Sequence, residues 1–503
     1  MKRLITLFLL LAIWLTSAFL LSSCGGSNAT ASGDNGATEE TASGDNGATE
    51  ETAKATVLYN LFSDEGLLCV YRNKKGGYIN KAGQEVIPCK YYVAYPFRNG
   101  YAAVQEKSGD PFYFIKPDGT KLIDTPFYDI RLFDSQGRAV VKKSQNGKYE
   151  LIDKDGKSYL TAQAIASGNN GLYLFRDDSN MCGAADKDGN VLLNPRYDGL
   201  DFVPDHFTFL KENVENVDYT CCTDRLMAYR TVSSGTYQYL IDLNGNELYA
   251  ADSTCLGIYF ETVSRTFCAH YPSKVVLFDR SGKVIRTIEE ECENAASFVG
   301  GFGLKYKSQS KEETVVKLID AQGNVQFDSK TCGYVPDYVN SYGEVRVWES
   351  LSAEKGGLID GKTGEILIPV AYNWVDRLGF DGNGICFAKK TSGEYVALDR
   401  NGQTVFSKNC DGLDKLAFQD APYYLAEYEV GNKTSYELLD KTGNVLHVFG
   451  TKYDEFNDFG DGCGLYDDGY IVCRETENGN ISIININNNY EQVCSTIYDD
   501  ILR

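Results

Sequence analysis

The feature that most constrains this chain is one turn written over and over. An apolar or aromatic triplet leads into Asp-x-x-Gly, and two to four strand-type residues follow. The pattern appears as YELIDKDGKSYL (149–160), AADKDGNVLL (184–193), YLIDLNGNEL (239–248), VLFDRSGKVI (276–285), KLIDAQGNVQF (317–327), VALDRNGQTVF (396–406) and ELLDKTGNVL (437–446). Variants are YINKAGQEVI (78–87), YFIKPDGTKLI (113–123), GLIDGKTGEILI (357–368) and ISIININNNYEQV (481–493). The turn glycines, from Gly83 to Gly443, follow one another at 36, 37, 33, 56, 37, 41, 41, 38 and 41 residues. A period near forty with one long gap is the mark of a repeat architecture.

Turn chemistry explains the motif. The Asp carboxylate caps a type I turn, and Gly three residues later takes the left-handed conformation that a three-residue hairpin loop requires. The β-branched and aromatic flanks form the two strands. Blocks such as GYAAV (100–104) and GRAVV (137–141) supply a further strand per unit. Each unit is thus three or four short antiparallel strands that cannot bury an apolar face alone, so neighbours must stack. The 35 Tyr, 25 Phe and 49 Gly agree with many short strands and tight turns. The expected fold is all-β: tandem hairpin repeats, β-propeller-like or an open β-repeat array, with little helix. The 56-residue gap sets residues 203–236 apart as an insertion or lobe junction. It separates an N-terminal lobe of four units (57–202) from a C-terminal lobe of about seven (237–503), a number that suits a closed propeller.

The repeats resemble the WG-repeat family of bacterial proteins, whose consensus runs approximately G-K-W-G-[YL]-I-[DN]-K-x-G-x-x-[VI]-I-P-x-x-Y-D. The likeness is closest over Gly76–Tyr92, through Gly77, Tyr78, Ile79, Asn80, Gly83, Ile87, Pro88 and Tyr91. It is good again over Gly356–Tyr372 and Cys182–Asp198. No repeat keeps the Trp that names the family, and only Gly77, Gly183 and Gly357 keep the Gly after it. The resemblance implies a closed or extended β-repeat body and little about activity.

Before the repeats come a basic start (Lys2, Arg3), an apolar run from Leu4 to Leu21, and Leu21-Ser-Ser-Cys24. The last four residues resemble a bacterial lipobox, which implies cleavage of a 1–23 signal peptide and lipidation of Cys24. By the same analogy Gly25, in place of an Asp retention signal, points to the outer membrane. Residues 24–56 hold TASGDNGATEE twice in tandem. With no large apolar side chain they read as a disordered tether. Removing residues 1–23 takes the net charge from −21 to −23, which speaks against nucleic acid as a partner.

Nothing in the sequence assembles a catalytic or cofactor site. Gly356-Gly-Leu-Ile-Asp-Gly-Lys362-Thr363 fits the P-loop pattern formally, but strand-like residues follow where a P-loop needs a helix. Each Asp-x-x-Gly loop offers one or two oxygen ligands where calcium needs several. There is no C-x-x-C, and the three histidines, His206, His270 and His447, lie far apart. No G-x-S-x-G elbow is present, and no pair stands out among 70 acidic residues as glycosidase carboxylates. Neither a metal nor a cofactor is expected.

Fifteen cysteines are many for an exported chain. Four repeats carry one before and one after the turn: Cys69 with Cys89, Cys268 with Cys292, Cys386 with Cys410, and Cys473 with Cys494. They read equally as buried thiols or as intra-repeat disulfides, which an oxidising envelope permits. The functional expectation is a non-enzymatic envelope scaffold that meets the membrane through its lipid and binds a protein or glycan. A carbohydrate-binding or glycan-processing component and a purely structural envelope protein are the alternatives.

Overall fold

Each repeat folds as consecutive antiparallel strands. In the fourth these are Ala164–Ser167, Leu172–Arg176, Cys182–Asp186 and Val191–Tyr197, hydrogen-bonded in that order. The computed structural model describes residues 61–502 apart from short internal stretches, the longest being 205–220, 307–314, 416–422 and 457–465. The described residues form ten four-stranded sheets and one three-stranded sheet. In the latter the segment ending at Phe127 takes the fourth place through two isolated bridges, Phe112 with Phe127 and Ile115 with Lys121. Among the described residues helix is limited to one turn, Ser329–Cys332, capped by the Asp328 carboxylate.

The turn works as its residues dictate. Asp186 Oδ1 accepts from the N–H groups of Asp188 and Asn190, each at 2.9 Å. Gly189 N donates to Asp186 O at 3.1 Å, with Gly189 at φ +80°. The left-handed residue adds one position to the fourth strand, so the register slips between Ala184 opposite Leu193 and Ala185 opposite Val191.

The eleven sheets are the blades of one closed ring. Eleven clusters of buried side chains exist, and each joins two consecutive blades. Strand alternation causes this: Phe267 and Ala269 pack toward blade 5, while Cys268 between them packs toward blade 7. Blade 1 closes the circle. Its second to fourth strands are Leu67–Arg72, Lys75–Asn80 and Glu85–Tyr91, and its first is the C-terminal Asp500–Leu502. Val70, Ile79 and Ile501 there pack on Val472, Ile481 and Ile483 of blade 11.

First strands of neighbouring blades touch one another, as Gly257–Glu261 does Asn294–Phe298, and so face the axis. Fourth strands form the outer rim, where Val191, Ile285 and Ile366 are exposed.

Four units before the long gap and seven after it make eleven blades in one ring. Blades 4 and 5 pack through Leu174, Leu193, Tyr197, Leu226 and Ile241 just as other neighbours do. The stretch 203–236 carries all of blade 5's second strand, Cys221–Val232, and the start of its third, Gly235–Asp242. The gap is long because 16 residues, 205–220, separate the first strand from the second and the second itself reaches 12 residues.

The Gly that three repeats share has a structural reason. Residues 88–90 lie opposite Gly77, 194–196 opposite Gly183 and 369–371 opposite Gly357, so three rim residues face one. A Cβ at any of the three glycines would stand 2.6 Å from a carbonyl oxygen of that rim strand. Pro88 and Pro369 at the head of two bulges and Pro195 in the middle of the third lack an N–H to leave unpaired.

Candidate functional site

The up-and-down topology gives the ring two different ends. First-to-second and third-to-fourth connections lie at one end, the Asp-turn end. Second-to-third turns and the joints between blades lie at the other.

At the Asp-turn end the repeated polar residues hold the ring together. The third-to-fourth turn of one blade sits on the rim strand of the blade before it: a Cβ at Gly189 would collide with Tyr159 O, and one at Gly282 with Leu248 O. First-to-second turns carry a second capped set that the search for a single turn per repeat missed. It was legible in LFDSQGRA and GFDGNGIC as another Asp-x-x-Gly behind a Phe. Asp134 Oδ1 accepts from Gln136 N and Arg138 N, and its Oδ2 accepts from Ser167 Oγ (3.0 Å) and Tyr173 Oη (2.6 Å) of blade 4. Asp381 repeats this geometry toward Tyr424 of blade 10 at 2.9 Å. Burial, and then the facing Asp, raises the pKa of both tyrosines, and burial raises that of Asp381.

One ion pair is more deeply set. Lys415 of blade 10 donates to Asp376 Oδ2 (2.8 Å) and Gly379 O (3.0 Å) of blade 9. Burial works against the ammonium, but Asp376, Cys386 and Asp381 outweigh it and hold its pKa above the ordinary lysine value. Lys415→Met should cost about 3 kcal/mol, because a carboxylate shielded from water loses its counter-charge. Urea denaturation checks this, and an unchanged midpoint would refute it.

The turn carboxylates set the acid limit of the fold. The Ser281 hydroxyl lowers the Asp279 pKa, slight burial opposes it, and the Lys283 and Ser281 N–H groups lower it further. Slight burial pushes Asp440 up, but Thr442, Asn444 and their N–H groups bring it to about 2. A carboxylate whose pKa falls on folding stabilises the fold above its unfolded value, near 3.8, and that contribution disappears as pH drops through the folded value. Asp381, Asp468 and Glu427, raised chiefly by burial, act in the opposite sense. The urea midpoint should therefore fall steeply between about pH 4 and about pH 2. A midpoint that is flat across that window would contradict the assignment.

The cysteine pairs are not equivalent in space. Cys69 lies between blades 1 and 2, whereas Cys89 packs on the cluster between blades 11 and 1. Cys386 faces blade 8 and Cys410 faces blade 10. Cys473 faces blade 10, while Cys494 and Cys24 lie outside the described residues. Of the three pairs whose members are both described, only Cys268 and Cys292 share a cluster, between blades 6 and 7. Burial raises both of their pKa values, that of Cys292 to about 11. Spacing to the turn groups these pairs in sequence, but strand alternation and hairpin length decide the face.

The remaining sequence candidates fall within the fold. Residues 356–363 are a strand and the start of a hairpin turn, with Ile366–Tyr372 returning as the rim strand. His270 is buried with Nε2 2.9 Å from Cys292 O, and His447 stacks on Tyr490 at 4.2 Å. His206 lies outside the described residues. Among the described residues no group of three or more His, Cys, Asp or Glu is placed to hold a metal ion.

The end opposite the Asp turns differs around the ring. At the joints into blades 2–7, 9 and 10 one backbone N–H bonds to the second strand of the blade it enters. That residue is Tyr92 (to Gln105 O, 2.8 Å) and Tyr128 (to Lys142 O, 2.6 Å) in blades 2 and 3. In blades 5, 7 and 10 it is Asp198, Glu293 and Asp411, and in blades 4, 6 and 9 Gln163, Leu256 and Asn373. Tyr92 and Tyr128 are exposed, and Lys75 Nζ lies 5.7 Å from the Tyr92 ring centre. The charge follows the same division. Residues 67–162 hold sixteen Lys and Arg against ten Asp and Glu, net +6, whereas residues 163–503 carry −22. Counting charge repeat by repeat would have shown this; the total of −21 concealed it.

The chain is thus a closed β-propeller built from small antiparallel repeats. A family model described as WG containing repeat matches residues 77–108, the fourth strand of blade 1 and its neighbourhood included. No match was found among curated proteins. Among solved structures the chain is similar to a eukaryotic initiation factor at 9% identity, covering 87% of this chain and 97% of that one, with a TM-score of 0.41. It is similar to dihydro-heme d1 dehydrogenase NirN at 15% identity, covering 67% and 75%, TM-score 0.29. It is also similar to Hsv2 of Kluyvelomyces marxianus at 10% identity, covering 57% and 89%, TM-score 0.24. At these scores the likenesses bear neither on the blade number nor on what the chain does.

Proposed function

We propose that this chain is a non-enzymatic scaffold, held at a bacterial cell envelope by a lipid on Cys24, whose propeller presents a surface to a protein or glycan partner. The observation that carries the reading is the use made of the recurring polar residues. Asp134, Asp186, Asp279 and Asp381 each cap a turn, and Asp134 and Asp381 also bind the next blade. Repetition therefore serves assembly of a broad body rather than a reaction centre. The sequence from Cys24 to Tyr59, with its duplicated acidic 11-mer, supplies the spacer between lipid and body.

Two measurements test the two parts. Metabolic labelling with a fatty-acid analogue should mark the wild-type chain and not Cys24→Ala; equal labelling would sink the anchor. Crosslinking in cells followed by affinity capture, beside a glycan array and a hydrolase screen, tests the scaffold. A reproducible protein or glycan partner without turnover is expected, and glycan cleavage would overturn the non-enzymatic reading.

A further inference from the structure

We infer that the end of blades 1–3 opposite the Asp turns is a surface that lies against anionic lipid headgroups. The inference rests on the lipid-anchored reading above and adds an orientation to it.

Three observations converge. The first is chemical. Lys74 in the second-to-third turn of blade 1, Lys90 at the foot of its rim strand, Lys107 in the matching turn of blade 2 and Lys143 in that of blade 3, the last paired with Glu150 at 2.8 Å, are all exposed at this end. Between them stand the exposed rings of Tyr92 and Tyr128. Ammonium groups meet phosphate oxygens in charge-assisted hydrogen bonds. Tyrosine, apolar in body and polar at its tip, favours the headgroup level of a bilayer.

The second is the charge distribution. Blades 1–3, counted as residues 61–162 with the strand Asp500–Leu502, carry +3, whereas residues 163–499 carry −22. Near an anionic plane such a body turns its basic sector inward and its acidic sector away. A planar surface acts on the whole asymmetry, whereas a single polysaccharide chain touches only the patch, and this favours the lipid surface.

The third is where the tether joins. Leu61 and Phe62 are packed between blades 11 and 1, their N–H groups donating to Asp468 at 3.1 and 3.3 Å. The anchor thus meets the body in blade 1, but at the Asp-turn end, so the tether must pass along the height of the ring to bring the opposite end to the membrane. The 37 residues from Cys24 to Asn60 span at most roughly 120 Å, enough to reach either end of the ring. A lipid on Cys24 together with a basic patch is a two-part attachment, stronger than either part alone.

The test uses the chain from residue 24 with Cys24→Ala, which keeps the whole body and removes the lipid. Its sedimentation is measured with vesicles of phosphatidylethanolamine and phosphatidylglycerol at 3:1, against pure phosphatidylcholine. Binding is expected to the first only, and to disappear when NaCl is raised from about 0.1 to about 0.5 M. Reversing Lys74, Lys90, Lys107 and Lys143 to Glu should lower it at least tenfold, with circular dichroism and thermal midpoint unchanged. Reversing Lys362, Lys433 and Lys441, on blades 8 and 10, should leave it intact. Equal binding to both vesicles, no binding, or equal loss in both lysine sets would overturn the inference. So would retention of an acidic polysaccharide, such as alginate, in place of vesicles. If Cys24 labels in cells but the vesicles are not bound, the anchor stands and the orientation falls.

Discussion

A chain ending at residue 499 is expected to lose its ring closure. Asp500–Leu502 is the first strand of blade 1, pairing Cys69 with Leu502, Val70 with Ile501 and Tyr71 with Asp500. Ile501 is buried among Leu68, Val70, Val472 and Ile483. Deleting one such side chain costs about 2–5 kcal/mol, and each lost ladder hydrogen bond about 1 kcal/mol. The expected loss is roughly 5 kcal/mol, and an unpaired, largely apolar strand is left at the cut. Because each blade touches only its two neighbours, the damage should spread from blades 1 and 11 inward. A lower urea midpoint, a broader transition and earlier elution on gel filtration are expected. Ile501→Val should cost only about 1 kcal/mol. If the truncated chain unfolds and elutes as the parent does, closure is not what holds the ring.

Two glycine substitutions separate a turn's conformation from its contact. Gly282 and Gly364 are each the left-handed residue that ends a third-to-fourth turn, at φ +84° and +75°, the turn at Gly364 being one residue longer. Adding a methyl group at either strains the left-handed backbone, at about 1 kcal/mol. At Gly364 no atom lies within 4 Å of the new Cβ, so Gly364→Ala should cost only that. At Gly282 the methyl would overlap Leu248 O of the preceding blade, and rigid backbone on both sides cannot yield cheaply. Gly282→Ala should therefore cost about 3 kcal/mol, strain and overpacking together. Thermal and urea unfolding of the pair would show it; equal losses would mean the turn matters only to its own hairpin.

Much of this was legible in the residues. Asp186 and Gly189 specify their turn by side-chain reach and by φ, both local properties. The flanking apolar pairs specify strands, and the recurrence specifies blades, so the all-β repeat body follows from sequence. The cysteines show where local reading stops. Cys69 with Cys89 and Cys268 with Cys292 look alike along the chain, yet only the second pair shares a face. A shift of one residue along a strand reverses the side from which its side chain projects. The basic sector was written in residues 67–162, but its meaning depends on which strand ends share one end of the ring.

The sequence by itself determined the unit: a capped turn, short strands around it, and a repeat too small to stand alone. Only the tertiary structure decided the number and closure of the units. The angle between blades depends on how eleven pairs of apolar faces fit together, and closure on pairing Leu67–Arg72 with a strand more than four hundred residues away. Neither quantity is local, so no single repeat records it.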